Sequence, residues 1–177
     1  MNGAQLILDF LERNYTNLHH ELEDITLAEL MAEPYPSIGW LAWHLVRVQD
    51  VQVSMLADRE QAWTGDGWHA KFGMPPEPMD YGPAHTHTRE QVAGLETDSA
   101  TLLAYHDAAY RRSTDYLAGV SDLDLERVLQ EPRFQPLPTV GVRLVSVVND
   151  NTLHVGQIIY NKACLRSGGW FPNPRQK

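Results

Sequence analysis

The sequence predicts an all-α fold, a four-helix bundle with a long loop insertion between its second and third helices. Three observations lead there. Four long stretches repeat apolar residues at steps of three and four, the period of a helix that buries one side. No stretch makes a convincing strand, and Val140-Gly141-Val142 is too short to build a sheet on. From about 58 to 98 the helical period gives way to turn residues and aromatics.

Residues 3–22 form the first predicted helix, amphipathic through Leu6, Ile7, Phe10, Leu11, Asn14 and Leu18. Thr26-Leu27-Ala28-Glu29 is a capping-box pattern for a short helix, which should end before Pro34 and Pro36. Ser37 is placed to N-cap the second long helix, about 37–57. Its seam is Leu41, His44, Val48, Val51 and Met55, so His44 stands where an apolar residue would be expected. In the insertion, Trp63-Thr64-Gly65-Asp66-Gly67-Trp68-His69 and Met74-Pro75-Pro76-Glu77-Pro78 read as turn chemistry, suited to a lid or a packed functional loop. Thr88-Arg89-Glu90-Gln91 can start a short helix of its own.

The third long helix is expected at about 98–118, with Leu102, His106, Ala109, Ser113 and Leu117 along one side. Ser121-Asp122-Leu123-Asp124-Leu125-Glu126 can open another helical turn, and Arg133 to Pro138 is a proline-broken connector. The fourth long helix, about 141–167, repeats Leu144, Val147, Asn151, His154, Ile158, Asn161 and Leu165, with Asp150 flanking the seam. Gly168-Gly169 should stop it, and Trp170-Phe171-Pro172 is expected to fold back over the bundle end.

Length and composition set the class. A chain of 177 residues with 43% apolar content suits a single domain, here 1–177, whose core needs no disulfide staple. A formal charge of −9, from 23 acidic against 14 basic residues and with no dense basic stripe, repels a phosphate backbone. Nucleic acid is therefore not an expected partner. No apolar run approaches the roughly 20 residues that cross a bilayer, and no secretory leader is evident, so the expected location is the cytoplasm. Cys164 is the only cysteine and reads as a small core residue near a helix end.

The chemistry lies in seam positions that are polar. In a helix, Asp150 and His154 are one turn apart and point the same way, so a carboxylate and an imidazole can close on one metal ion. His44, His106 and His154 each replace an apolar residue, and a buried imidazole costs a few kcal/mol unless its nitrogens are satisfied. For any one of them alone, a hydrogen bond to a carbonyl or to Tyr105 or Tyr110 would suffice. Together, His44, Asp150 and His154 form a two-histidine, one-carboxylate set for a divalent metal with open positions. Zinc is the first choice, with nickel, iron and manganese as alternatives. His106 is the rival third ligand or a partner of the ligands, and Asn151 adds a polar group beside them. His85-Thr86-His87 has chelating spacing but reads as a solvated loop, and His69 as a loop residue near the pocket mouth. His19 and His20 suit the negative end of the first helix.

Two longer motifs carry a resemblance. Pro36-Ser37-Ile38-Gly39-Trp40-Leu41-Ala42-Trp43-His44-Leu45 and Asp150-Asn151-Thr152-Leu153-His154-Val155-Gly156-Gln157 are similar to the second- and fourth-helix signatures of the DinB-like superfamily of helical-bundle metalloproteins. The likeness covers nearly the whole chain. Many members carry His at the position of Asp150, and the mycothiol-dependent maleylpyruvate isomerase carries Glu. Trp63-Thr64-Gly65-Asp66-Gly67-Trp68, with Phe72-Gly73 after it, resembles the actinobacterial mycothiol-transferase-like branch.

The resemblance implies a metal-dependent transferase that uses a low-molecular-weight thiol, mycothiol- or bacillithiol-like. The metal would lower the pKa of that thiol, and the thiolate would attack a small electrophile held under the 58–98 loop, with Trp63 and Trp68 excluding water. Two alternatives stand beside it. One is a metal-assisted hydrolase at the same site; the other is a non-enzymatic metal- or small-molecule-binding bundle. A small-molecule substrate is the expected partner, and a second copy of the chain another.

Overall fold

The computed structural model describes residues 1–34, 36–82 and 87–167. The expected stop at Gly168-Gly169, the fold-back of Trp170-Phe171-Pro172 and the position of His85 lie outside them. Four long helices dominate: α1 (Gly3–Leu22), α3 (Ile38–Leu56), α7 (Ser99–Leu117) and α9 (Val140–Ser167). Short helices join them: α2 (Leu27–Leu30), α4 (Ala62–Gly65), α5 (Trp68–Lys71), α6 (Arg89–Ala93) and α8 (Asp122–Leu125). No strand occurs among the described residues; the connector before α9 makes an isolated bridge, Val128 to Thr139. None of these helices is long and apolar enough to cross a membrane.

Local chemistry sets the helix starts. Thr26 and Glu29 close the expected capping box on α2, and Ser37 accepts the Trp40 N–H at the start of α3. Ser121 and Thr88 cap α8 and α6 in the same reciprocal way. The stretch read as turns around Trp63 to His69 instead forms α4 and α5, each a single helical turn. The backbone N–H groups of Ala62 and Trp63, at the start of α4, are taken by the carboxylate of Asp50, 2.9 Å from each. A tertiary partner thus supplies a cap that no nearby residue in the sequence announces.

The long helices pack side by side in the cyclic order α1, α7, α3, α9. Their apolar faces form two clusters. One gathers Leu18, Leu22, Trp43, Trp63, Tyr105, Val155 and Ile158; the other gathers Ile7, Leu11, Val53, Leu117, Leu144 and Val147. α1 and α9 run from the second cluster to the first, while α3 and α7 run the opposite way. Each helix contributes a buried polar residue to a layer between the clusters: Asn14, Gln49, Ser113 and Asn151. Gln49 joins Ser113 and Asn151 at 2.9 and 2.7 Å, and Asn14 reaches Thr152 at 3.0 Å. A slip of one turn in any helix would break these bonds in a dry interior, so the layer specifies register.

Two seam expectations need correction. Leu6 and Phe10 of α1 are 49% and 45% exposed, and Met55 of α3 is 50% exposed. More consequentially, α3 is no one-sided seam: every residue from Ile38 to Ser54 is buried. The insertion wraps the side that a simple four-helix packing would leave wet. Its anchor is Arg47, fully buried, which donates to the Asp80 and Pro78 carbonyls at 3.0 Å each, to Gln61 Oε1 and to the Tyr105 hydroxyl. Asp50, 3.6 Å away, balances its charge.

Candidate metal centre

Asp150 and His154 project from the same side of α9, one turn apart. His44 comes across from α3, its neighbour in the bundle. His44 Nε2 lies 3.8 Å from Asp150 Oδ1, and His154 Nε2 lies 3.6 Å from that same oxygen. The two rings meet edge to face, with centroids 4.7 Å apart. One donor atom from each of the three side chains lies within 4.8 Å of the others. Bonds of roughly 2.0–2.2 Å to a tetrahedral cation set donors about 3.5 Å apart, close to the 3.6 and 3.8 Å separations from Asp150 Oδ1. The one-turn spacing brings the short Asp150 side chain to the point where both imidazoles converge.

The other nitrogen of each imidazole is already engaged. His44 Nδ1 meets the carbonyl oxygen of Tyr81, and His154 Nδ1 meets Gln157 Oε1 at 2.7 Å. An acceptor at Nδ1 keeps a proton there, so Nε2, turned on Asp150, is the nitrogen that can give up its proton and ligate a metal ion. Trp40 stacks on His44 with centroids 5.0 Å apart and planes 5° from parallel, which fixes the plane of that ring.

Electrostatics agree with the geometry. Burial pushes the Asp150 carboxyl up, but the facing imidazoles of His154 and His44 outweigh it and hold the group at about 2. For His154, burial pulls the pKa down, while Asp150 and the Gln157 oxygen raise it further, for a net upward shift. Asp150 Oδ2 is buried with no hydrogen-bond partner. An ionised oxygen left so is costly unless a cation meets it. The donor set therefore fits a divalent metal ion, which His44, Asp150 and His154 could hold between them. Around them a cleft of about 620 Å³ opens between α3 and α9, lined by Trp40, Leu41, Val48, Tyr81 and Val147 among others.

Other sequence candidates fall elsewhere. His106 faces α1, with its ring 5.6 Å from His19 and 5.1 Å from Tyr15, so it neither ligates nor supports this cluster. Burial and the nearby His19 push its pKa down to about 3, and its Nδ1 has no partner. Asn151 turns to Gln49 in the register layer. His87 stacks on Trp43 and pairs with Asp80 at 2.8 Å, while His69 packs edge-on against Trp63. Trp63 and Trp68 are 0% and 7% exposed, packed on Tyr105 in the core, so they do not shield the cleft. The insertion reaches the cleft through Tyr81 instead. A backbone carbonyl carries no residue signature, so Tyr81 could not be found from the sequence; Gln157 could, three residues after His154 in the quoted motif.

Comparison with known proteins agrees on fold and lineage. A crystal structure of a conserved protein from Enterococcus faecalis is similar at a TM-score of 0.82 and 30% identity, over 92% of this chain and 96% of that one. No curated protein gives a significant match. The sequence profile of the DinB superfamily matches residues 10–158, which takes in His44, Asp150 and His154. With most of its length matched, the chain belongs to the DinB superfamily.

Proposed function

We propose that His44, Asp150 and His154 bind one divalent metal ion, zinc in the first instance, and that the chain is a transferase joining a low-molecular-weight thiol to a small electrophile. The observation that carries the metal site is the pair of imidazoles held by acceptors at Nδ1, with both Nε2 atoms turned on a carboxylate whose second oxygen is buried and unpartnered. When bound, such an ion supplies Lewis acidity that favours the deprotonated form of a thiol at neutral pH.

The chain's own residues do the rest. Tyr81 and Gln157 hold the Nδ1 protons, and Asp150 offsets the charge of the ion. Trp40, Leu41, Val48 and Val147 give the cleft an apolar wall beside the three side chains, against which the hydrocarbon part of a substrate can pack. The thiol step is supported by the likeness of the Trp63–Trp68 segment to the mycothiol-transferase-like branch. The test is elemental analysis of untagged protein, followed by conjugation assays with and without a low-molecular-weight thiol. About one metal per chain, lost in His154→Ala, with turnover that needs the thiol, is expected. Turnover without thiol replaces the transferase by a hydrolase; absence of stoichiometric metal removes both.

A further inference from the structure

Building on that metal-site reading, we propose that the cleft end beyond Val48 and Val147 is a carboxylate subsite built on Arg143 and Gln52. The substrate class is then an elongated small acid: a carboxylate at one end, an apolar middle, and the reacting group at the His44, Asp150 and His154 end.

The lining of the cleft gives this polarity. Because α3 and α9 run in opposite directions, Gln52 and Arg143 share the end towards the α3 C-terminus. Arg143 precedes Asp150 by seven residues, about 10 Å along the helix. Between them lie Val48 and Val147, which offer only hydrocarbon, and Ser146, whose hydroxyl is spent on the Val142 carbonyl at 2.9 Å. A ligand spanning the cleft thus meets a metal-ligand cluster, an apolar stretch and a guanidinium in that order.

Arg143 is built in, with its side chain 11% exposed. One Nη is bonded to Glu131 Oε2 and its guanidinium lies 5.3 Å from the Phe134 ring, but its Nε is buried without a partner. Glu131 Oε2 also lies 3.7 Å from Arg133, whose side chain is largely exposed and does not line the cleft, so Arg143 shares this carboxylate with a second guanidinium. In a chain of net charge −9, a lining guanidinium with an unsatisfied Nε is a local feature that favours an anion. A guanidinium with donors in a fixed fork matches a carboxylate better than a neutral amide. Gln52, 8% exposed and lining the same end, adds an amide for the second oxygen.

The experiment has two separable arms, both read by isothermal titration. In metal-free protein, octanoic acid is compared with octanamide; the acid is expected to bind about tenfold more tightly. Arg143→Gln should erase that preference and leave octanamide unchanged, while Glu131→Gln, which frees Arg143, should increase it. Equal binding of acid and amide, or a preference that persists in Arg143→Gln, overturns the subsite. In the second arm zinc is added and mercaptooctanoic acid replaces octanoic acid. A zinc-dependent gain for the thiol that His154→Ala abolishes upholds the metal-site reading. Its absence strikes that reading and leaves the first arm to decide the subsite.

Discussion

The two helices that meet at the candidate metal centre hold their histidines by opposite means. On α9 everything is local: Asp150, His154 and Gln157 lie within two turns, and the helix alone brings carboxylate, imidazole and Nδ1 acceptor into reach. On α3 everything is remote. His44 takes its Nδ1 acceptor from the Tyr81 carbonyl, 37 residues on, and that carbonyl is held by an insertion laced to Arg47. One half of the site comes with the helix; the other requires the insertion to dock. Damage to the insertion should therefore reach the candidate metal site through His44, and damage to α9 should act only nearby.

The largest way to break this asymmetry is Arg47→Met. It leaves Asp50 fully buried without its cation and unfastens the 77–80 backbone. Loss of about 3–5 kcal/mol is expected in urea unfolding, together with weaker zinc binding through His44. A stability loss with unchanged zinc affinity would show that Tyr81 is positioned without Arg47. Next, His44→Ala and His154→Ala should each weaken zinc binding by about a hundredfold or more, measured by competition with a chromophoric chelator.

Gly82 tests the remote half with a single methyl group. Its φ of +63° disfavours any other residue, and an added Cβ would lie 2.7 Å from Trp43 Cζ3. Gly82→Ala should cost about 1–3 kcal/mol and also weaken zinc binding, because Tyr81 precedes it.

His106 sharpens the contrast, as a seam histidine with no such support. Its pKa is depressed to about 3 from 6.5, so between those values the unfolded chain binds a proton that the native state does not. Stability falls as pH falls through that window, by roughly 2 kcal/mol at about pH 5 as an upper bound. His106→Leu should flatten the dependence in pH-resolved unfolding. The smallest effect belongs to the local half: Gln157→Leu should weaken zinc binding by about tenfold and leave unfolding nearly unchanged.

Legibility in the sequence followed the same divide. The pairing of Asp150 with His154 on α9 was readable because both lie one turn apart in one segment, and the caps at Thr26, Ser37 and Ser121 were readable for the same reason. His44 was visible as a polar intruder in an apolar seam, but its acceptor was not. Trp63 and Trp68 misled, because an aromatic in a loop-like stretch can shield a site or fill a core, and here they fill the core. His106 misled because a seam histidine states that it is buried and not whom it faces.

The sequence by itself determined the four helical periods and the short capped turns, since each depends on neighbours a few residues away, and it marked His44, Asp150 and His154 as candidates for one metal ion. Only the tertiary structure decided that α3 is buried on all sides, that Asp50 caps α4, and that Tyr81 orients His44. Those are meetings of backbone carbonyls and buried charges far apart in the chain. Their partners are chosen by how the insertion docks, and no local periodicity records that choice.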